Sequence, residues 1–290
     1  MPSSMHWHVL VIDNNSKDQT REVVEGFCRR FPGRFSYVFE RKQGKSYALN
    51  TGIAHATGDV IAFTDDDVQV DRHWLHNITA PLASVQWSGC AGRILPEAAF
   101  SAPPWLDTKA RYSLAPLALF DPSISAGMIE EPPFGANMAY RREMFSKYGG
   151  FRCDLGPQPD GEIKNEDVEF GARLLAAGEQ IWYERAAIVY HEVPAHRVRK
   201  SYFLSWWYGK GRSDTRELNP CGEGLCVVGV PLVLLSKVAV WTLRWLLAFH
   251  PARRFTCKTK VWGFAGNIAE CFAQSRKAAR LRISQPESTS

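Results

Sequence analysis

Three short apolar runs dominate the first quarter of the chain and restrict what it can fold into. They are HVLVID (His8 to Asp13), FSYVFE (Phe35 to Glu40) and DVIAFTD (Asp59 to Asp65), and each reads as a buried strand. Between the first two, NNSKDQT turns into the helix TREVVEGFCRRF, with Asp18 or Thr20 available as its cap. Between the last two, GKSYALNTGIAHA forms a short helix with Tyr47, Ala48 and Ile53 on its apolar side. Strands alternating with helices predict an α/β fold built on an open sheet of parallel strands. Ligands of such sheets bind beyond the carboxyl ends of the strands. Asp13 closes the first run and Asp65, Asp66 and Asp67 close the third, so both acidic positions fall on one edge of the sheet.

Three adjacent carboxylates repel one another, which raises the question of what makes them tolerable. In extended backbone Asp65 and Asp67 point to one side and Asp66 to the other. Two converging carboxylates can hold a hard divalent cation that keeps positions open for phosphate oxygens. The alternative is a polar turn capping the next helix. An EF-hand loop fits badly, because counting from Asp65 puts Val70 where glycine is needed and His76 where a bidentate Glu belongs. The GKS at Gly44 to Ser46 is not a P-loop, since Phe39 stands where that motif needs glycine. Gly44 and Lys45 instead open a helix, offering amides and a cation to a phosphate or simply to solvent. Further along, NEDVEF puts Glu166 and Asp167 in the first turn of a helix, with Asn165 as a plausible cap. They are either ordinary helix-start residues or include a general base at the ligand edge. His191 follows the apolar strand AAIVY and reads as structural, or as a metal or phosphate contact.

Composition, 45% hydrophobic and 12% aromatic over 290 residues, is that of a folded chain with a sizeable core. Seven cysteines are an odd number without a CxxC pair, Cys221 and Cys226 being the closest, which predicts reduced thiols in a cytosolic setting and no structural zinc. The opening MPSSMHWHVLVIDNN has no basic start and apolar core of a secretory signal. Residues 96–133 hold seven of the 17 prolines together with Trp105, Tyr112, Leu114, Leu117 and Phe120, the signature of a packed lid or substrate loop. After it, GANMAYRREMFSKYGGF predicts a strand running into a helix that ends at Gly149-Gly150, and the NEDVEF helix stops at Gly178 before a further strand.

The segments VIDNNSKDQT, GKSYALNTGIAHATGDVIAFTDDDV, GANMAYRREMFSKYGGF, NEDVEFGARLLAAG and HEVPAHRVRKSYFLSWWYGKGRS, in that order, resemble a family 2 glycosyltransferase of the GT-A fold. The resemblance covers most of residues 8–213 and implies a metal-dependent, inverting transfer of a sugar from a nucleotide-sugar donor. Carried onto this chain, it implies that Asp13 contacts the base or ribose, with Asn14 where the family often has a second Asp. Asp65 and Asp67 match the family's DXD pair that holds Mn2+ or Mg2+ against the donor diphosphate, with Asp66 alongside. Lys45, Gly135, Asn137 and His191 would line the substrate, and residues 197–200 would lie near the diphosphate. Asp167, next to Glu166, would be the base that deprotonates the acceptor hydroxyl. The family ordinarily begins with one more strand and helix, so the resemblance also predicts a truncated or misassigned N-terminus.

The tail differs in character. From Pro231 onward ten Lys and Arg face two Glu, a net charge of +8 in a chain whose total is +5. LCVVGVPLVLLSKVAVWTLRWLLAF (Leu225 to Phe249) is about long enough to span a bilayer, but Lys237 near its centre would cost about 3 kcal/mol there. Lys237, Trp241 and Arg244 share one helical face, so a helix lying in the membrane interface fits better than a spanning one. A helical extension packed on the catalytic domain is the alternative. The expected organisation is a GT-A catalytic domain over 1–215 and a hydrophobic, basic helical tail over 216–290. The expected partners are a nucleotide-sugar donor, a glycan or lipid-linked acceptor and the inner face of the cell membrane, without nucleic acid. A nucleotidyltransferase, or an inactive sugar- or lipid-binding protein, are the competing readings.

Overall fold

The computed structural model describes residues 5–110, 112–122, 124–159, 163–219 and 225–284. Two compact units divide it. The first takes Met1–Ala99, Ala118–Glu162 and Glu166–Val193, and the second takes Phe100–Leu117, Ile163–Asn165 and Pro194–Ser290. Most of the second unit therefore follows Val193, with Phe100–Leu117 and Ile163–Asn165 added from earlier in the chain.

In the first unit the chain runs β1 (Val9–Asp13), α1 (Thr20–Arg30), β2 (Phe35–Phe39), α2 (Lys45–His55), β3 (Val60–Phe63), β4 (Val68–Val70), α3 (Trp74–Thr79) and β5 (Gly89–Pro96). It continues with β6 (Ala126–Ile129), β7 (Met138–Arg141), α4 (Arg142–Tyr148), α5 (Glu166–Ala176) and β8 (Ile181–His191). Asp18 accepts from the Thr20 amide at 3.0 Å, a turn just ahead of α1. β1 and β2 pair in parallel as a two-stranded sheet. The larger sheet has the order β3-β7-β5-β8-β4, with β6 also paired to β8.

That sheet corrects the expectation of parallel strands. β7 runs antiparallel to both β3 and β5, β4 runs antiparallel to β8, and of these pairs β5 with β8 is parallel. Apolar patterning tells which residues are buried and says nothing of strand direction, which connection length decides.

Aromatic packing fixes α5 on this sheet. Phe170, one turn after Glu166, is fully buried and stacks on Phe145 at 4.7 Å, with Tyr140 and Phe151 each at 5.0 Å. On the same helix Gly171 lets the backbone of the Pro132-Pro133 segment approach. A Cβ at Gly171 would lie 2.9 Å from the Pro132 side chain. The first turn of α5 is thereby held against the stretch that leads into Gly135.

The second unit is helical: α6 (Lys200–Leu218), α7 (Leu232–Leu247) and α8 (Pro251–Ser284). α6 and α8 approach through glycine, since a Cβ on Gly211 would sit 1.8 Å from the Gly263 carbonyl oxygen. Around this crossing Asn267 Nδ2 donates to the Gly211 carbonyl at 2.8 Å, and Glu270 accepts from Arg212 at 2.9 Å and Arg216 at 2.6 Å. Part of the proline-rich segment belongs here. Trp105 packs edge-on against Phe203 at 5.2 Å and Phe255 at 4.6 Å. Asn165 does not cap α5 as expected. Its backbone is left-handed, with φ of 79°, and its amide donates to Asp214 at 2.9 Å and Glu217 at 2.6 Å.

The apolar helix of the tail is shorter than the sequence predicts, 16 residues from Leu232, and among the described residues no helix is long and apolar enough to cross a membrane. The expectation of seven reduced thiols is corrected at Cys271, which is disulfide-bonded. Cys28, Cys90, Cys153 and Cys257 are free, and Cys221 lies outside the described residues.

Candidate active site

The site lies in the first unit, where β1, β3 and β8 end. Asp13, the last residue of β1, is 5% exposed, and its carboxylate accepts from the Ser16 amide at 2.8 Å and the Tyr37 hydroxyl at 2.6 Å. Burial works against the charged form, but these donors outweigh it and hold the Asp13 carboxyl below its ordinary range. Tyr37 was not foreseen from the sequence. Its position on β2 opposite Val11 was the available signal, because parallel pairing brings its ring beside β1.

Asn14 stitches the neighbouring loop. Its amide donates to the Lys42 carbonyl at 2.6 Å and the Glu40 carbonyl at 3.3 Å, while its oxygen accepts from the Gly44 amide at 2.7 Å. An aspartate there could accept but not donate, which is a physical reason for Asn at this position. The stitch fixes the start of α2 and so the origin of Lys45.

Lys45 joins the separate pieces. Its ammonium donates to Asp65 Oδ1 at 2.7 Å and lies 3.9 Å from Glu166 Oε1. Burial disfavours its charge, but Asp65 and Glu166 more than compensate and raise its pKa. Glu166 is 4% exposed. Burial first, then the charge of Asp167, pushes its carboxyl up, to about 7, against the pull of Lys45. Asp167 Oδ2 accepts from the Gly135 amide at 2.6 Å and its Oδ1 from the Val168 amide at 2.8 Å. A Cβ on Gly135 would lie 3.2 Å from Asp167 Oδ2 and 3.5 Å from the Lys45 ammonium, so glycine leaves room for both.

The metal-binding candidates complete the rim. Asp66 and Asp67 are exposed on the loop between β3 and β4. The register of β4 against β8 pairs Val68 with His191, and His191 Nε2 faces Asp67 Oδ2 at 3.4 Å. The other ring nitrogen is 2.5 Å from the Glu192 carbonyl, so it must donate there. Among the described residues no group of three or more His, Cys, Asp or Glu forms a ready metal cage. Two hard carboxylates, one on an ammonium and one exposed, fit a divalent ion whose remaining ligands come from a substrate.

Asn137 stands apart from these residues. It is 1% exposed, its oxygen accepts from Trp74 at 2.8 Å, and its amide donates to the Arg93 and Ala187 carbonyls at 2.9 and 2.8 Å. These side-chain hydrogen bonds tie it to α3, β5 and β8 and reach none of the residues above. The structure thus gathers Lys45, Asp65, Gly135, Glu166 and Asp167, with Asn14 joined to them through the Gly44 amide that precedes Lys45, and Asp67 and His191 as a neighbouring pair.

Known proteins bear on this arrangement. The profile of glycosyl transferase family 2 matches residues 3–149, just over half of the chain. The chain belongs to glycosyl transferase family 2. The succinoglycan biosynthesis protein ExoM of Rhizobium meliloti is 28% identical over 229 residues, covering 78% of this chain and 69% of that protein. Glycosyltransferase AglE of Haloferax volcanii is 25% identical, over 71% of this chain and 62% of its own length. A glucosyl-dolichyl phosphate glucuronosyltransferase of the same organism is 22% identical, over 69% of this chain and 64% of its own. Among solved structures, a mannosyltransferase from Pyrobaculum calidifontis in complex with GDP-Man and Mn2+ shares the fold, with a TM-score of 0.54 at 19% identity over 96% of this chain and 70% of that one. The protein is thus a glycosyltransferase of GT-A architecture, as its motifs predict.

Proposed function

We propose that the protein transfers a glycosyl group, with inversion, from a nucleotide-diphosphate sugar to a hydroxyl of a polysaccharide, lipid-linked or other cell-envelope acceptor at the inner face of a membrane. The observation that carries this reading is Lys45, whose ammonium touches Asp65 and faces Glu166 with Asp167 alongside. In this reading the elements that would hold the metal and carry the base, far apart in sequence, meet at Lys45, which suits a displacement reaction. ExoM, named for succinoglycan biosynthesis, supports the acceptor class, and the mannosyltransferase with GDP-Man and Mn2+ supports the donor class and a divalent ion.

In this reading Asp13 and Asn14 bind the nucleoside. A Mn2+ or Mg2+ ion held by Asp65 and Asp67 supplies positive charge against the leaving diphosphate. His191 orients Asp67, and Asp66 lies beside the pair. Lys45, once released from Asp65, meets a phosphate oxygen. Asp167, held by two backbone amides, receives the acceptor's proton as the acceptor oxygen bonds to the anomeric carbon and the bond from that carbon to the diphosphate breaks. Glu166 sets the position of Lys45 from behind.

The test is nucleoside diphosphate release with Mn2+ over a panel of nucleotide sugars. Release by the unaltered protein, lowered by about a hundredfold or more in Asp67→Asn and in Asp167→Asn, is expected. Pyrophosphate as the product would show nucleotidyl transfer instead, and silence with every donor would leave a binding protein.

A further inference from the structure

α7 buries one narrow seam. Leu234 packs with Val230 and Cys271 beside Phe264 and Ile268, and Trp245 meets Trp262 edge-on at 6.5 Å. These contacts pair the start of α7 with the later part of α8 and its end with the earlier part, an antiparallel hairpin. The other side of α7 is bare. Val233 is 55% exposed, Leu243 58%, Leu247 63% and Phe249, just past the helix, 95%. Leu232, Leu235, Val240 and Leu246 are exposed as well.

At about 100° per residue the exposed apolar side chains of the helix fall on one arc of roughly 160° opposite the seam, with Ser236 inside it donating back to the Val233 carbonyl at 2.9 Å. Two cations border that arc on one flank. Lys237 lies over the Phe264 ring at 5.5 Å and Arg244 over the Trp241 ring at 4.8 Å, so both stems lie along apolar surface. Exposed Arg253 and Arg254 follow in the first turn of α8. The arc is too apolar to be a solvated face.

We infer that the outward face of α7 is a docking surface for an anionic lipid bilayer, with the helix lying in the plane of the headgroups. Length argues against spanning, since 16 residues rise about 24 Å against an apolar core of about 30 Å. Charge selects the partner: a face bordered by Lys and Arg, in a segment of net charge +8 from Pro231 onward, matches acidic headgroups. A second copy of the chain would bring the same cations towards one another. The inference deepens the proposed membrane location of the acceptor, but its physical basis is this face and not the transfer chemistry.

The test is flotation of the full chain with vesicles of phosphatidylcholine alone or with phosphatidylglycerol added. Binding to the phosphatidylglycerol vesicles should exceed binding to the neutral ones by roughly tenfold or more, and high salt should erase the difference. Leu243→Glu with Leu247→Glu should abolish binding while thermal unfolding stays unchanged, because both side chains are exposed. Lys237→Gln with Arg244→Gln should remove the preference for phosphatidylglycerol. No flotation of the unaltered protein, or flotation unchanged by the paired Glu substitutions, overturns the inference. So does lipid-free self-association that the paired Glu substitutions dissolve, which would assign the face to a second copy. Nucleoside diphosphate release without vesicles is measured in parallel, so that failure of the transfer reading registers separately from failure of docking.

Discussion

Where β5 and β8 begin and β7 ends, Glu179 accepts from Lys147 at 2.8 Å, from the Tyr148 hydroxyl at 2.6 Å and from the Ser88 hydroxyl. At the opposite end of the same sheet, Glu166 pairs with Lys45 at 3.9 Å and sits beside another carboxylate, Asp167. The consequences are opposite. The Lys147 hydrogen bond and the two hydroxyls hold Glu179 down, at about 2, whereas burial and the neighbouring charge push Glu166 up to about 7. Nearby, Arg141 is equally saturated, donating to the carbonyls of Trp87, Leu82 and Ser84. One end of the sheet spends its charge on fastening α4 to the turn before β8. The other keeps its carboxylates crowded and counters them with a single lysine, an arrangement that a bound cation and diphosphate would relieve.

Substitutions at the two ends should separate these roles. Asp167→Asn is expected to lower nucleoside diphosphate release per folded molecule by about 10²–10⁴-fold, the size of a lost general base, and to cost about 1–3 kcal/mol of stability because its NH2 group meets one of the two backbone amides that the carboxylate accepts. A small effect on turnover would remove Asp167 from the chemistry. Lys45→Met should destabilise the ligand-free protein by about 1–3 kcal/mol, since the acidic groups lose their counter-charge, and added Mn2+ should restore part of it. Melting temperatures with and without the ion decide this. If Mn2+ restores nothing, the rim does not hold a cation.

Glu179→Gln, at the structural end, should cost about 1–3 kcal/mol and leave turnover per folded molecule unchanged. The pH profile separates the two carboxylates further. Glu179 titrates lower in the folded chain than its ordinary 4.5, so its stabilisation is present above 4.5 and lost as pH falls towards 2. Glu166 is raised, so its contribution is full below 4.5 and lost as pH rises through 7. Denaturant titrations across pH should therefore show the acid slope shrink in Glu179→Gln, with Asp13 among the lowered carboxyls that keep the remainder, and the slope between 4.5 and 7 flatten in Glu166→Gln.

Much of the rim was legible because its residues sit at ends of elements that the pattern itself defines. Asp13 and Asp65 close apolar runs, and Glu166 and Asp167 open an amphipathic helix. The bridging role of Lys45 was not legible, because its partners lie 20 and 121 positions along the chain and only packing brings them within reach. Asn137 is a related case. The resemblance puts it with the substrate residues, while Trp74, Arg93 and Ala187, remote in sequence, engage its side-chain oxygen and amide.

The tail divides in the same way. Its apolar, basic composition already marked a helix unsuited to span a bilayer with Lys237 at its centre. Which side of that helix stayed bare depended on where α8 covered it.

The order of residues by itself determined where strands end, which helices start with acid and how charge is shared between body and tail. Those are local properties, fixed by spacing and side-chain chemistry. Tertiary structure alone decided strand direction, the single lysine shared by distant carboxylates and the face of α7 left uncovered, because each depends on contacts between segments remote in sequence.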